Sequence, residues 1–363
     1  MPHIQRRFVG LILWHFSLAL MVLGCSKKSE PSPTAASSGP AIQANIPEPI
    51  TLQGSGASFP APVYSRWFRE FGTKNPDIRV NYQSTGSGAG IKAFIAGQTD
   101  FGASDAAMTD DEIKLANGNV ILLPVTAGHV VLAYNLPDVK ELKLSRDAYA
   151  GIFLGEIKKW NDPKIAASNP GVKLPNLDVT PVNRSDGSGT TFVFTQHLSA
   201  ISDKWKSGPG KGTSVNWPAK AAVGGAKNDG VAALVQRTPG AIGYIEYAFA
   251  ATSGQPTAIL QNKAGKFVAP TLDAATAALS HVELPADMRA WVTDPDGDTT
   301  YPIATYTWIL AKKKYADKAK GEALKKVLKW CLSDGQTLSP SLHYIALPTA
   351  VAAQVTKAVD TIE

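Results

Sequence analysis

Beyond residue 50 the chain alternates short apolar runs with stretches whose apolar residues recur every three or four positions. Residues 62–74 put Val63, Trp67, Phe68 and Phe71 on one helical face, and residues 79–83 alternate as a strand. A short helix is predicted over 90–96, carrying Ile91, Phe94 and Ile95, and a brief strand over 101–104 runs into Asp105. The pattern over 106–115 also permits a helix, for which Asp105 would be the cap. Apolar strands are predicted at 120–125 and 130–135, separated by Thr126, Ala127 and Gly128. Further on, helices are predicted at 148–160, 190–198, 229–236 and 321–332, and strands at 179–183, 240–244 and 302–310. No fixed-period repeat is visible. This alternation predicts an α/β fold with largely parallel sheets.

The first 50 residues follow another pattern. Arg6 and Arg7 precede an uncharged, almost wholly apolar stretch, residues 8–23. It is short for a membrane span, which needs roughly 20 residues, and fits the apolar region of an export signal. It ends in Val22, Leu23, Gly24 and Cys25, which resembles a bacterial lipobox. That resemblance implies removal of residues 1–24 and lipidation of Cys25; a plain signal peptide with an incidental cysteine is the alternative. Residues 25–50, rich in Ser, Pro and Ala, read as a disordered tether. Cys331 is the only other cysteine. It lies on an apolar helical face with Leu324, Val327 and Leu328 and reads as a buried thiol.

Hydrophobic residues make up 44% of the 363 and the formal charge is +6. Mean hydropathy is −0.06, which places the chain among globular proteins. Arg6 and Arg7 supply two of those charges, leaving +4, and no basic run suggests a nucleic-acid partner.

Three Gly/Ser segments carry the candidate chemistry: GSGASFP (54–60), STGSGAG (84–90) and RSDGSGTT (184–191). Each precedes a predicted helix. The first turn of a helix has N–H groups without intrahelical partners, and the helix dipole favours an anion there. Glycine lets the backbone approach closely, while serine and threonine add donors. Together the three segments point to a small tetrahedral oxyanion. They lie on either side of the chain's middle, so their meeting requires two lobes facing across a cleft.

Other chemistries find less support. A serine hydrolase is the competing class, with Ser188 as nucleophile, but Ser58, Ser87 and Ser188 all lack the G-x-S-x-G elbow. His129, His197, His281 and His343 have no metal or triad spacing. Asp294, Asp296 and Asp298 begin like a calcium loop, but Thr299 and Thr305 replace its glycine and glutamate, so a surface turn is predicted. No phosphate-binding loop of nucleotide hydrolases is present.

The segments GSGASFPAPVY, DFGASDA, IFLGEIKKWNDP, RSDGSGTTFVF, GGAKNDG and QRTPGAIGYIEYA resemble those of bacterial phosphate-binding proteins, the receptors of the high-affinity phosphate ABC importer. The likeness runs from about residue 52 to the end. It implies a two-lobed periplasmic-binding-protein fold of type II, with mixed sheets flanked by helices. Lobe 1 would combine residues 51–125 and 300–363, and lobe 2 would hold residues 126–299. The implied phosphate contacts are Ser58 and the N–H of Phe59, Ser87, Asp105, Arg184, Ser188, the N–H of Gly189, and Thr190. Many relatives have threonine where this chain has Ser58; the hydroxyl donor is kept.

Arg184 can grip two oxygens at once; its alternative is an ion pair with Asp186. Ser188 could equally be a helix cap. Ionised Asp105 can only accept a hydrogen bond. Phosphate at neutral pH keeps a P–OH and sulfate does not, so Asp105 would select phosphate. The resemblance further implies a monomeric receptor with no enzymatic activity, cofactor or metal. Its partners would be inorganic phosphate, the importer's permease and ATPase subunits, and the membrane through an acyl chain such as palmitate on Cys25. It would be exported and face the periplasm or the cell exterior. A receptor of this fold for another oxyanion or a phosphonate, or a serine-dependent phosphatase, are the alternatives.

Overall fold

An eight-stranded sheet with helices packed on it runs through the computed structural model, which describes residues 48–280 and 282–363. The predicted leader, Cys25, almost all of the tether and His281 lie outside the described residues. The strands in chain order are β1 (Ile50–Gly56), β2 (Ile78–Ser84), β3 (Phe101–Ser104), β4 (Ile121–Tyr134), β5 (Lys143–Leu144) and β6 (Thr180–Arg184). Then come β7 (Val223–Gly225), β8 (Ala241–Glu246), β9 (Ile259–Gln261), β10 (Phe267–Val268) and β11 (Ala304–Ala311). The large sheet has the order β2-β1-β3-β11-β4-β8-β6-β7, and β10, β9 and β5 form a small second sheet. Ile50, assigned to the tether from sequence, is already in β1.

The sheet is mixed rather than largely parallel. β1 lies parallel to β2 and β3, and β6 parallel to β7 and β8. Between these groups β11 is antiparallel to β3 and β4, and β4 is antiparallel to β8. β4 carries the chain from one parallel group to the other and β11 brings it back. Strands that leave and return across one junction run in opposite directions.

β4 also corrects the expectation of two strands. Thr126, Ala127 and Gly128 are not a turn; they pair with Thr307, Tyr306 and Thr305 of β11. The apolar pattern lapses there because a side chain at 128 has no room. A Cβ on Gly128 would meet the Phe59 ring at 2.9 Å. The register shifts between Thr307 and Trp308, a bulge that re-aims neighbouring side chains.

Most predicted elements fall within three residues of those observed. The Ala61–Lys74 helix buries Val63, Tyr64, Trp67, Phe68 and Phe71, and the Trp67 indole N–H donates to the Gly335 carbonyl at 2.7 Å. Cys331 is fully buried in the Lys318–Leu332 helix. The helix predicted over 148–160 is instead Arg146–Leu154, stopped by Gly155 in the left-handed conformation, φ 74°. The helix after Asp105 begins only at Asp110, where Thr109 and Glu112 form a capping box. Asp105 therefore caps nothing. Of the three aspartates expected on a surface turn, Asp296 and Asp298 are exposed there, but Asp294 is not: its side chain is 10% exposed and takes two hydrogen bonds from Arg146, at 2.7 and 2.6 Å. Among the described residues no helix is long and apolar enough to cross a membrane.

The parallel groups set up the site, because β1, β3 and β6 all end in a turn and then a helix or loop at their carboxyl ends. Ligands gather there in open α/β sheets. The Ser87–Ile95 helix can lie close to β1 only because residue 90 lacks a side chain. A Cβ at Gly90 would meet the Gly56 Cα at 2.3 Å and the Ser55 carbonyl at 2.9 Å. Gly90→Ala is accordingly expected to cost about 2 kcal/mol, read as a lower urea midpoint with unchanged slope.

Candidate functional site

Three strand ends deliver the predicted residues to one place. After β1, Ser58 and Phe59 lead into the Ala61–Lys74 helix; after β3 comes Asp105; after β6, Arg184 leads through Asp186 to Ser188. Ser87 opens the Ser87–Ile95 helix and Gly189 opens the Gly189–Ile201 helix. All eight predicted contact residues are buried.

Asp105 and Ser87 meet directly. The Ser87 hydroxyl accepts from the Asp105 N–H at 3.3 Å and lies 3.4 Å from Asp105 Oδ2. Gly189 closes over both from the far segment: a Cβ there would sit 2.6 Å from both Asp105 Cβ and Ser87 Oγ. Only glycine allows this approach, and it brings the first-turn N–H groups of that helix beside Asp105. The Gly88 N–H donates to the Gly187 carbonyl at 2.9 Å, joining the second and third segments by backbone.

Asp105 is held by a partner that sequence reasoning missed. The Thr307 hydroxyl, from β11, donates to Asp105 Oδ1 at 2.8 Å. Thr305 and Thr307 are buried polar residues in an otherwise apolar strand, and that was the available signal. Burial pushes the Asp105 carboxyl up to about 7, against the Thr307 hydrogen bond, the Arg184 charge and the Ser87 hydrogen bond.

Arg184 is both braced and available. Its Nε donates to Asp186 Oδ1 at 2.8 Å and its Nη2 to Asp186 Oδ2 at 2.6 Å. The ion pair raised as an alternative for Arg184 is therefore present. It does not exhaust the side chain. Nη1 donates to the Thr190 hydroxyl at 3.3 Å, and a guanidinium carries five N–H groups, so one more remains on each terminal nitrogen. Burial opposes ionisation of Asp186, but Arg184 and the Lys227 N–H hold its carboxyl below the ordinary range. The Tyr244 hydroxyl fixes the neighbourhood: it accepts from the Arg184 N–H at 3.0 Å and lies 2.7 Å from Thr191 Oγ1.

Ser188 is a helix cap, accepting from the Thr191 N–H at 3.0 Å. Phe59 is fully buried and its carbonyl accepts from the Tyr344 hydroxyl at 2.6 Å. A fourth helix start, unassigned from sequence, completes the cluster. Asn228, at the head of the Lys227–Arg237 helix, donates from Nδ2 to Ser58 Oγ at 2.9 Å and to Thr190 Oγ1 at 3.3 Å. Its position in a Lys-Asn-Asp-Gly run, in the residue class that caps helices, was the only clue. Nearby Glu246 is fully buried, and burial holds its carboxyl well above the ordinary range. Among the described residues no cluster of His, Cys, Asp and Glu is arranged to hold a metal ion.

The arrangement can therefore surround a compact anion with hydroxyls, helix-start N–H groups and one guanidinium, and offers it a single carboxyl as acceptor.

Comparison with known proteins agrees. The profile of the PBP superfamily domain matches residues 29–335. The chain is 37% identical over 360 residues to Phosphate-binding protein PstS of Xylella fastidiosa (strain Temecula1), covering 96% of each. It is 41% identical over 309 residues to the protein of that name from Pasteurella multocida, covering 84% of this chain and 88% of the relative. Among solved structures, a high affinity periplasmic phosphate-binding protein (PfluDING) bound with phosphate superposes with a TM-score of 0.73, covering 85% of this chain and 93% of its own. At 22% identity that likeness speaks to the two-lobed fold.

A carboxyl raised from 3.8 to about 7 binds its proton in the folded chain over a pH range where the unfolded chain has lost it. Stability from this group therefore falls as pH rises through that window. Asp105→Asn is expected to stabilise the ligand-free protein by an amount that grows between pH 3.8 and about 7 and is level above. Urea unfolding across that range measures it; a gain independent of pH contradicts the assignment.

Proposed function

The chain belongs to the PBP superfamily and, within it, to the phosphate-binding PstS proteins, and on that premise we propose that it is a receptor for inorganic phosphate which delivers its ligand to the permease and ATPase subunits of an ABC importer. The observation that carries this reading is the composition of the site: one carboxyl, Asp105, directly against Ser87 and Gly189 and not paired with a cation, among donors from Ser58, Ser87, Arg184, Thr190 and the helix starts.

In this reading the hydroxyls of Ser58, Ser87, Ser188 and Thr190, and the N–H groups of Phe59 and Gly189, donate to phosphate oxygens. Arg184 adds its two remaining N–H groups, with its plane fixed by Asp186. Asp105 accepts from the P–OH. Sulfate brings no proton, so ionised Asp105 would face it charge against charge in a buried site. A mismatch of that kind is worth several kcal/mol, or about a hundred- to thousand-fold in affinity.

Hydrolysis is disfavoured by where the residues lie. The Ser188 hydroxyl is engaged as a cap, His197 bonds the Tyr149 hydroxyl at 2.8 Å, and His129 Nε2 lies 3.2 Å from the Pro270 carbonyl.

We assign residues 51–125 with 300–363 to one lobe and 126–299 to the other. β4 changes partner four residues beyond this boundary: it pairs with β11 as far as His129 and with β8 from Val130 onward. Closure would bend the sheet where β4 changes partner, burying phosphate between lobes. We also assign Cys25 as a lipidated amino terminus on an exported, membrane-anchored protein.

Isothermal titration at about pH 8.5 is expected to show tight binding of phosphate, binding of arsenate, and sulfate at least about hundred-fold weaker. A phosphate monoester should fail. Sulfate should gain about tenfold per unit as pH falls toward 7, because protonated Asp105 supplies the hydrogen that sulfate lacks. If Asp105→Asn binds phosphate normally and still rejects sulfate, Asp105 is not the discriminator. Cells fed a clickable palmitate analogue should label the protein, and Cys25→Ser should abolish labelling while leaving phosphate binding intact.

A further inference from the structure

Asn228 is engaged at every polar atom, and the direction of its amide is fixed. The Glu246 N–H, which can only donate, gives its hydrogen bond to Asn228 Oδ1 at 2.9 Å. That bond identifies the oxygen, so the other end must be the NH2 group. The two amide hydrogens have two acceptors: Ser58 Oγ at 2.9 Å and Thr190 Oγ1 at 3.3 Å. The backbone N–H of Asn228 adds a second hydrogen bond to Ser58 Oγ at 3.2 Å. Asn228 is fully buried, as is Thr190, and Ser58 is nearly so.

The consequence falls on the two hydroxyls. A hydroxyl has two acceptor positions and one hydrogen. Ser58 Oγ accepts from both the amide and the backbone of Asn228. Thr190 Oγ1 accepts from the Asn228 amide and from Arg184 Nη1, which cannot accept in return. Both oxygens are saturated as acceptors. Among the described residues neither hydroxyl donates to a protein group, so each hydrogen is left for whatever lies between them. In most proteins a serine or threonine hydroxyl can rotate to serve as donor or acceptor. These two cannot.

We infer that Asn228 is a positioning residue which locks Ser58 and Thr190 as obligate donors toward the bound anion. The lock also spans the site, since Ser58 follows β1 while Asn228 and Thr190 belong to the helices after β7 and β6. The inference rests on the phosphate reading and adds to it a residue whose side-chain amide and N–H are already engaged by protein groups. It explains how two neutral hydroxyls favour an anion over water. Water can donate as readily as accept, and a site whose hydroxyls only donate leaves water's hydrogens unmatched.

A mutant cycle read by phosphate titration tests this. Asn228→Ala is expected to weaken phosphate binding by about tenfold. In a background carrying Ser58→Ala and Thr190→Val, where no hydroxyl remains to be aimed, the same change should cost less than about twofold. A merely structural role would lower affinity equally in both backgrounds, and additive losses overturn the inference. Because Asn228→Ala also strips the Glu246 N–H of its acceptor, Asn228→Asp gives a second cycle that keeps that bond. There the hydroxyls turn to donate to the new carboxylate. Its added repulsion acts in both backgrounds, whereas the loss from misdirected hydroxyls appears only where the hydroxyls remain. Unaltered phosphate affinity in either Asn228 variant also overturns it. If the unsubstituted protein takes up no phosphate, the receptor reading itself falls and the inference with it; if it binds and the losses add, only the inference falls.

Discussion

The proposed site would have to enclose an anion without a matching net positive charge, and the surrounding structure is built around that constraint. Arg184 is the only cation among the site residues, and Asp186 already neutralises it through two short hydrogen bonds. Asp105 adds an ionisable acid rather than a base. The anion must then be matched by dipoles, meaning hydroxyls, first-turn N–H groups and the helix fields behind them. Such donors are directional, so their placement has to be held firmly. That requirement explains the dense second ring of contacts: Tyr244 on Arg184, Thr307 on Asp105, Asn228 on Ser58 and Thr190, and Tyr344 on Phe59. It also explains the glycines, since helix starts can converge this closely only where Gly189 and Gly90 leave room.

The carboxyl at the centre follows from the same constraint. Burial penalises its charge, and three neighbours lower that penalty without removing it, which leaves the group poised near neutrality. A neutral Asp105 would be one more donor in a ring of donors. An ionised one is the only acceptor. Whether Asp105 donates or accepts thus turns on a single proton.

Much of this was readable from the chain. The Gly/Ser segments mark backbone approaches that few other residues tolerate, and helical spacing exposed the Ala61–Lys74 and Lys318–Leu332 helices. What escaped depends on tertiary partners. Thr126 to Gly128 looked like a turn because local pattern cannot show that β11 lies alongside. Asp105 resembles a cap in the local pattern, but Thr109 and Glu112, a few residues on, form the capping pair that starts the helix. The apolar pattern of the helix starting at Arg146 continues past Gly155, whose left-handed φ is the stop. Asp294 reads as surface in the local pattern, but Arg146, nearly 150 residues earlier in the chain, packs against it. Asn228 and Thr307 carry no motif; each matters through one neighbour brought by the fold.

The strand order has a consequence for how the molecule comes into being. β11, residues 304–311, is inserted between β3 and β4, and the Trp67 indole is anchored on Gly335. The first hundred residues of the folded region therefore wait for the last sixty before their sheet can close. Synthesis proceeds from the amino end, and contacts of such long sequence separation form slowly. A chain interrupted before β11 lacks Thr307, the hydroxyl that holds Asp105, and leaves β3 and β4 without the strand that joins them.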